Sequence, residues 1–169
     1  MVQASDRLQR GRSWRISVRK EKCALDRGAI EALILNNTYG TLALSQEGKP
    51  YSIPMNYGYR DGCFYFHGAQ EGMRYEYVQA NSNACFCIVD HETLRPELFS
   101  TDYASVIAHG KIELVEKEDE KKNGLMALLE RCAPKRLVEG STYIDRAVLN
   151  TAVYKFTVEK IEGKQRKRL

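Results

Sequence analysis

The sequence predicts an antiparallel β barrel with helices packed at its periphery. Three observations carry that reading. Residues 40–45, 51–59 and 63–67 read as short strands joined by Gln46-Glu47-Gly48-Lys49 and Arg60-Asp61-Gly62, and Asp-Gly is a strong hairpin signal. Two later stretches, 103–116 and 151–161, alternate apolar with other residues along their length. The helical segments are inserted among the hairpins instead of alternating with single strands, which fits a parallel βαβ sheet poorly.

Residues 1–22 form a basic arm with one aromatic, Trp14. Asp26 can cap a helix over 27–36, where Ile30, Leu33, Ile34 and Leu35 fit helical spacing and Asn36-Asn37 ends it. In the middle strand Tyr51, Ile53, Met55, Tyr57 and Tyr59 share one face and Ser52, Pro54, Asn56 and Gly58 the other. That second face leaves backbone open, a surface against which a flat ligand could lie, and Pro54 belongs on an edge or at a break. A helix over 72–80 follows, then a buried strand over 84–89. Residues 90–102, with Pro96, read as a loop.

The strand at 103–116 places Ala104, Val106, Ala108, Ile112 and Leu114 on one face. Ser105, Ile107, His109, Lys111 and Glu113 take the other. Over 118–131 the period turns helical behind an acidic start that suits the positive end of a helix dipole. Pro134 opens a short helical or loop segment up to about residue 150, and the final strand turns Ala152, Tyr154, Phe156 and Val158 inward. One domain over 23–162 results, with a basic tail at 163–169.

Composition narrows the function. At 169 residues, with 43% hydrophobic and 28% charged residues, the chain has the make-up of one folded domain. No run approaches the ~18 apolar residues of a membrane helix. The arginine-rich start lacks an apolar signal core, so a cytoplasmic protein is expected. The +4 charge is concentrated in RLQRGRSWR and KQRKR, ends that read as solvated tails, and no nucleic-acid partner is expected. Five cysteines without a secretion signal are expected to stay reduced. Cys85 and Cys87 face one way on a strand, but no second pair stands at zinc spacing and the histidines are scattered, so no metal is expected.

Four segments in this order, PYSIPMNYGY, FYFHGAQEGMR, YASVIAHGKIELVEKEDEK and VEKIEGKQRKR, resemble the FMN-binding split-barrel superfamily, which contains the pyridoxamine 5′-phosphate oxidases. Within it the sequence is most similar to the nitroimidazole-resistance, nitroimidazole reductase-like branch. The resemblance implies a split barrel and a homodimer with two FMN sites, each built from both chains. By that resemblance Met55, Asn56 and Tyr57 border the flavin ring, and His67, Gly68, Ala69, Met73 and Arg74 form the phosphate turn. Ser105, with Val106 and Ile107 beside it, matches a position near the phosphate or ribityl chain. The family pattern carries a basic pair where this chain has Met73 and Arg74, so one cation is missing, and Arg15 or Arg19 of the arm could replace it.

The residues alone agree with an anion site. A phosphate is well served by an arginine, backbone N–H groups and a helix N-terminus together, and residues 67–74 contain those parts. His67, at a strand end beside that turn, is the candidate catalytic residue, titrating where a proton donor to flavin chemistry would. The expected function is an FMN-dependent oxidoreductase passing electrons from a nicotinamide or other donor to a small electron-poor acceptor, a nitroaromatic or quinone. The alternatives are a non-catalytic flavin or haem carrier, with His67 or His109 as axial ligand, and a pyridoxamine 5′-phosphate oxidase-like activity.

Overall fold

The computed structural model describes residues 23–166. The basic arm, with Trp14, Arg15 and Arg19, and residues 167–169 lie outside the described residues. Seven strands and four helices follow in the order α1 (Arg27–Asn36), β1 (Tyr39–Gln46), β2 (Lys49–Asn56), β3 (Gly58–Arg60), β4 (Cys63–Gly68), α2 (Met73–Ala80), β5 (Asn83–Arg95), β6 (Ser100–Leu114), α3 (Glu118–Cys132), α4 (Leu137–Ala147) and β7 (Ala152–Arg166). The strands are antiparallel throughout, in the order β2-β1-β5-β6-β7-β4-β3. The two outer strands of that order are consecutive in sequence, so the sheet curls until its edges meet. The predicted antiparallel split barrel with peripheral helices is the observed fold.

The meeting point is Tyr57, where the single strand expected over 51–59 divides. β2 pairs with β1 as far as Asn56, and β3 pairs with β4 from Gly58. Between them the Tyr57 N–H donates to the Thr38 carbonyl at 3.3 Å, and the Tyr57 hydroxyl donates to the Ile34 carbonyl at 2.7 Å. Arg131 of α3 lies over the Tyr57 ring, 4.9 Å from its centroid, and donates to the carbonyls of Ile34, Leu35 and Asn37. The orphan carbonyls that end α1 are thus closed off by an arginine from the far side of the sequence. At the other end, Asp26 caps α1 as expected, accepting from the Ala29 N–H at 2.8 Å.

Two apolar layers result. Inside the barrel Tyr57, Phe64, Phe66 and Phe86 form a ring cluster with centroids 5.0–5.3 Å apart, completed by Phe156 and Tyr154. Outside it α3 and α4 cover the outward residues Tyr65 and Val153 with Leu125, Leu128 and Ile144. Gly58 permits that second layer: a Cβ there would stand 2.6 Å from the Leu128 nitrogen and 2.7 Å from the Ala127 carbonyl carbon. Backbone cannot yield as a side chain can, so Gly58→Val should cost about 1–3 kcal/mol by overpacking. A fall in Tm measures it; an unchanged Tm would show that α3 is free to shift.

Two boundaries differ from expectation. Residues 90–102 are not a loop: β5 continues to Arg95, a tight turn spans Pro96–Leu98, and β6 starts at Ser100. Polar side chains hide the alternation, but Arg95 Nε donates to Asp102 Oδ2 at 2.8 Å across the ladder and Asp102 is buried. Residues 134–150, where a short helical or loop segment was expected, contain the helix α4. β7 runs on to Arg166, with Gly163 buried where a Cβ would meet Ile30 and Leu25, so 163–166 are strand and not tail.

Candidate functional site

Alternation along β4 sends Phe64 and Phe66 into the barrel and Cys63, Tyr65 and His67 outward. The strand ends at Gly68, and an exposed turn, Ala69 to Gly72, leads into α2. Gly72, at φ 90°, is the N-cap of α2 and offers no side-chain cap, so the first amides of the helix have no side-chain partner from that position.

Arg74, in the first turn of α2, folds back over this junction. Its guanidinium lies where a Gly68 Cβ would be, so only glycine lets the arginine cross there. Nη1 approaches the Met55 sulfur at 3.1 Å, and the guanidinium carbon stands 5.3 Å from the centre of the Tyr154 ring. Its Nε is buried with no hydrogen-bond partner among the described residues. A charged group held by a thioether and a ring face, with a buried N–H left over, has hydrogen-bonding capacity that an anion could take up. These features fit the phosphate of a flavin nucleotide: a cradle open at a glycine, an orphaned guanidinium N–H and an uncapped helix start.

His67 stands beside that cation. One edge of its side chain is exposed, while its body lines a cleft of about 280 Å³ between the outward face of the barrel, α3 and α4. Loss of solvent lowers its pKa below the usual 6.5, and the Arg74 charge lowers it further. Both causes favour the neutral imidazole over the charged one. Its ring nitrogens have no hydrogen bond from the described residues. Asn56 lines the same cleft, its amide nitrogen donating to the Thr38 carbonyl at 3.0 Å, and its Oδ1 has no hydrogen-bond donor among the described residues.

The other predicted site residues divide into three groups. Ala69 sits in the turn, its carbonyl accepting from the Tyr154 hydroxyl at 3.5 Å. Met55 is buried under Arg74, Met73 turns to solvent, and the Tyr57 side chain belongs to the core, where burial pushes its phenol up to about 12. Tyr57 could therefore meet a ligand only through its backbone, and its N–H is already engaged. Ser105, Val106 and Ile107 are not brought to the turn within one chain. Ser105 pairs with Lys164 while Gly68 pairs with Ala152, and those β7 positions lie roughly 40 Å apart along the strand. Val106 is in the core; Ser105 and Ile107 face outward beside exposed Val89.

Two features went unforeseen. Lys121 of α3 lines a second cleft, of about 360 Å³, with Gln70 of the turn and Tyr75 and Gln79 of α2, so a second cation borders the turn despite Met73. The cleft beside His67 is walled by Leu125, Leu128, Leu129 and Cys132 of α3. Facing them are Gly140, Tyr143, Ile144 and Ala147 of α4. Both sets repeat the i, i+3, i+4, i+7 spacing of a helix face, a signal present in the sequence.

A curled antiparallel barrel of this strand order, with peripheral helices, defines a split-barrel class. The sequence profile of pyridoxamine 5′-phosphate oxidase matches residues 26–165, and the chain belongs to that family. Among solved structures, a Bacteroides thetaiotaomicron protein named for 5-nitroimidazole antibiotic resistance is 29% identical, covering 84% of this chain and 86% of its own, with a TM-score of 0.73. An FAD- and haem-binding protein from Mycobacterium smegmatis shares the fold at 20% identity, covering 88% of this chain and 75% of its own, with a TM-score of 0.76. An FAD-binding protein from Mesorhizobium loti does so at 18% identity, covering 85% and 97%, with a TM-score of 0.65. No curated protein matches the sequence at a comparable level. Among the described residues, no helix is long and apolar enough to cross a membrane.

Proposed function

We propose that this protein binds FMN and serves as an oxidoreductase toward a small electron-poor acceptor of the nitroaromatic or quinone type. The observation that carries the reading is the Arg74 guanidinium lying across Gly68 with its Nε unpaired, beside the uncapped start of α2. Arg74 would hold the phosphate, the α2 amides would share its charge, and Lys121 would supply the cation that Met73 does not. The backbone at the end of β2 would border the ring. A flavin held by these residues would supply two-electron redox chemistry between a reduced nicotinamide or other donor and the acceptor. His67, whose ring nitrogens have no hydrogen bond among the described residues, would in its neutral form donate one hydrogen bond and accept another at the ring or acceptor edge.

A homodimer belongs to this reading. Ser105 and Ile107 lie far from the Arg74 turn in one chain, and they share an outward sheet face with exposed Val89. A second copy offering that face would complete each site. Light scattering should give twice the 19.3 kDa chain mass. Family membership also admits pyridoxamine 5′-phosphate oxidase activity, but the cleft beside His67 has no lining cation among the described residues to hold a substrate phosphate.

Titration of the purified protein with riboflavin phosphate tests the core of the proposal. Saturable fluorescence quenching and a yellow protein are expected. A Soret band on addition of haem without flavin uptake would favour a haem carrier, and no uptake of either would overturn the proposal.

The His67 ring gives a pH prediction. Because its folded pKa is lowered from 6.5, the unfolded chain binds the extra proton more readily. Stability contributed at this site is complete above 6.5 and falls as pH drops toward the folded value. NMR titration of the His67 ring should show a midpoint below 6.5 that rises in Arg74→Gln, since a repelling charge has gone. A midpoint that does not respond to that substitution would show that burial alone sets it.

A further inference from the structure

We propose that the cleft between α3 and α4 is the acceptor subsite of the flavin centre, selecting uncharged flat aromatic molecules with one polar edge. This rests on the flavin reading above and adds where the acceptor sits and what it must look like. The cleft opens on His67 and Asn56, which places any occupant against the same wall that would border the ring. Its volume of about 280 Å³ suits a substituted single or fused ring.

The chemistry of the walls is one-sided. The two helix faces contribute aliphatic side chains, a thiol and the Tyr143 ring, and among the described residues no Lys, Arg, Asp or Glu lines the cleft. Apart from the Tyr143 hydroxyl at the rim and the Cys132 thiol, the polar side-chain atoms lie on the barrel side. There the Thr151 hydroxyl already donates to the Ala147 carbonyl at 2.8 Å, leaving Asn56 Oδ1 and the His67 nitrogens to meet a ligand. A carboxylate, sulfonate or phosphate entering this space would lose water without gaining a counter-charge, and the cost of that desolvation excludes it. A neutral ring loses little and gains apolar contact on both faces.

Two residues set the size of the space. Ala147 is half-buried on the α4 wall, and its methyl leaves the room that a larger side chain would take. Tyr143 is 71% exposed, so it stands at the rim with its ring free to stack on an occupant.

Equilibrium dialysis of the flavin-loaded protein against 4-nitrobenzyl alcohol and 4-nitrobenzoate compares one ring in neutral and anionic form. The alcohol is expected to bind about tenfold or more tightly than the carboxylate. Ala147→Phe should weaken alcohol binding about tenfold and leave riboflavin phosphate affinity unchanged. Leu129→Lys should reverse the preference between the two ligands. Tyr143→Ala, at an exposed position that cannot threaten folding, should weaken the alcohol several-fold, and it decides the matter if Ala147→Phe does not fold. Equal binding of the two ligands, or alcohol binding indifferent to Ala147→Phe or Tyr143→Ala, would overturn the inference while flavin uptake stands. A chain that takes up no flavin would instead overturn the function, and dialysis of the protein as purified would still read the cleft.

Discussion

Replacing Arg74 with alanine is expected to weaken riboflavin phosphate binding by about 2 kcal/mol, close to thirtyfold, the scale of a hydrogen bond to a charged group. The loss follows from the way Arg74 is held. Met55 sulfur and the Tyr154 ring accept no full charge, so the guanidinium is positioned without being neutralised. An anion arriving there meets a donor that need not first break an ion pair. Arg74→Lys should recover only part of the affinity, because a lysine has no planar fork and no Nε to place against the ligand. Gly68→Ala approaches the same contact from the other side: its methyl would occupy the guanidinium's place and expel it. Isothermal titration of the three variants separates the roles. Full affinity in Arg74→Ala would put the phosphate elsewhere, with the second cleft beside Lys121 the next place to look.

Much of this was legible in the sequence, for reasons that can be named. The turns at Glu47-Gly48 and Asp61-Gly62 demand positive φ, which the structure shows at all four residues, so the hairpins were written in local chemistry. Period-two alternation fixed which faces of β4, β6 and β7 enter the barrel. The glycines and arginine of 68–74 marked the turn because an anion site needs close backbone approach. What stayed hidden depends on partners remote in sequence. Nothing near Tyr57 says that its strand divides between two neighbours, since the division depends on Thr38 and Ile34. The β5–β6 extension was masked by Asp90, Glu92, Thr93 and Arg95, polar residues that read as a loop until paired. The Arg131 cap of α1 spans 97 residues to Ile34. Lys121 reaches its cleft because α3 packs beside β7. The α4 face at 140, 143, 144 and 147 has helical spacing, but Pro134 and the small residues of the segment left helix and loop both open.

Phe86→Ala should be the most damaging single core truncation, costing about 3–5 kcal/mol. Phe86 is fully buried and its ring meets Tyr57, Phe64 and Phe66 at centroid distances of 5.2, 5.1 and 5.0 Å. It also closes over Gly40, where a Cβ would stand 2.5 Å from its ring. The side chain therefore joins β5 and β1 to β3 and β4, the strands that the barrel closure must hold together. Removing it leaves a cavity that neither edge can collapse into without pulling Tyr57 off Ile34 and Arg131, so α1 and α3 should loosen with the barrel. The Arg74 turn is fixed by different contacts, to Met55, Gly68 and Tyr154. Below its lowered melting temperature the variant should thus bind riboflavin phosphate within a few-fold of the parent. Chemical denaturation with flavin titration on the same samples gives both values. A large loss of flavin affinity in the still-folded variant would mean that the ring cluster also shapes the site, and that barrel closure and ligand binding are one event.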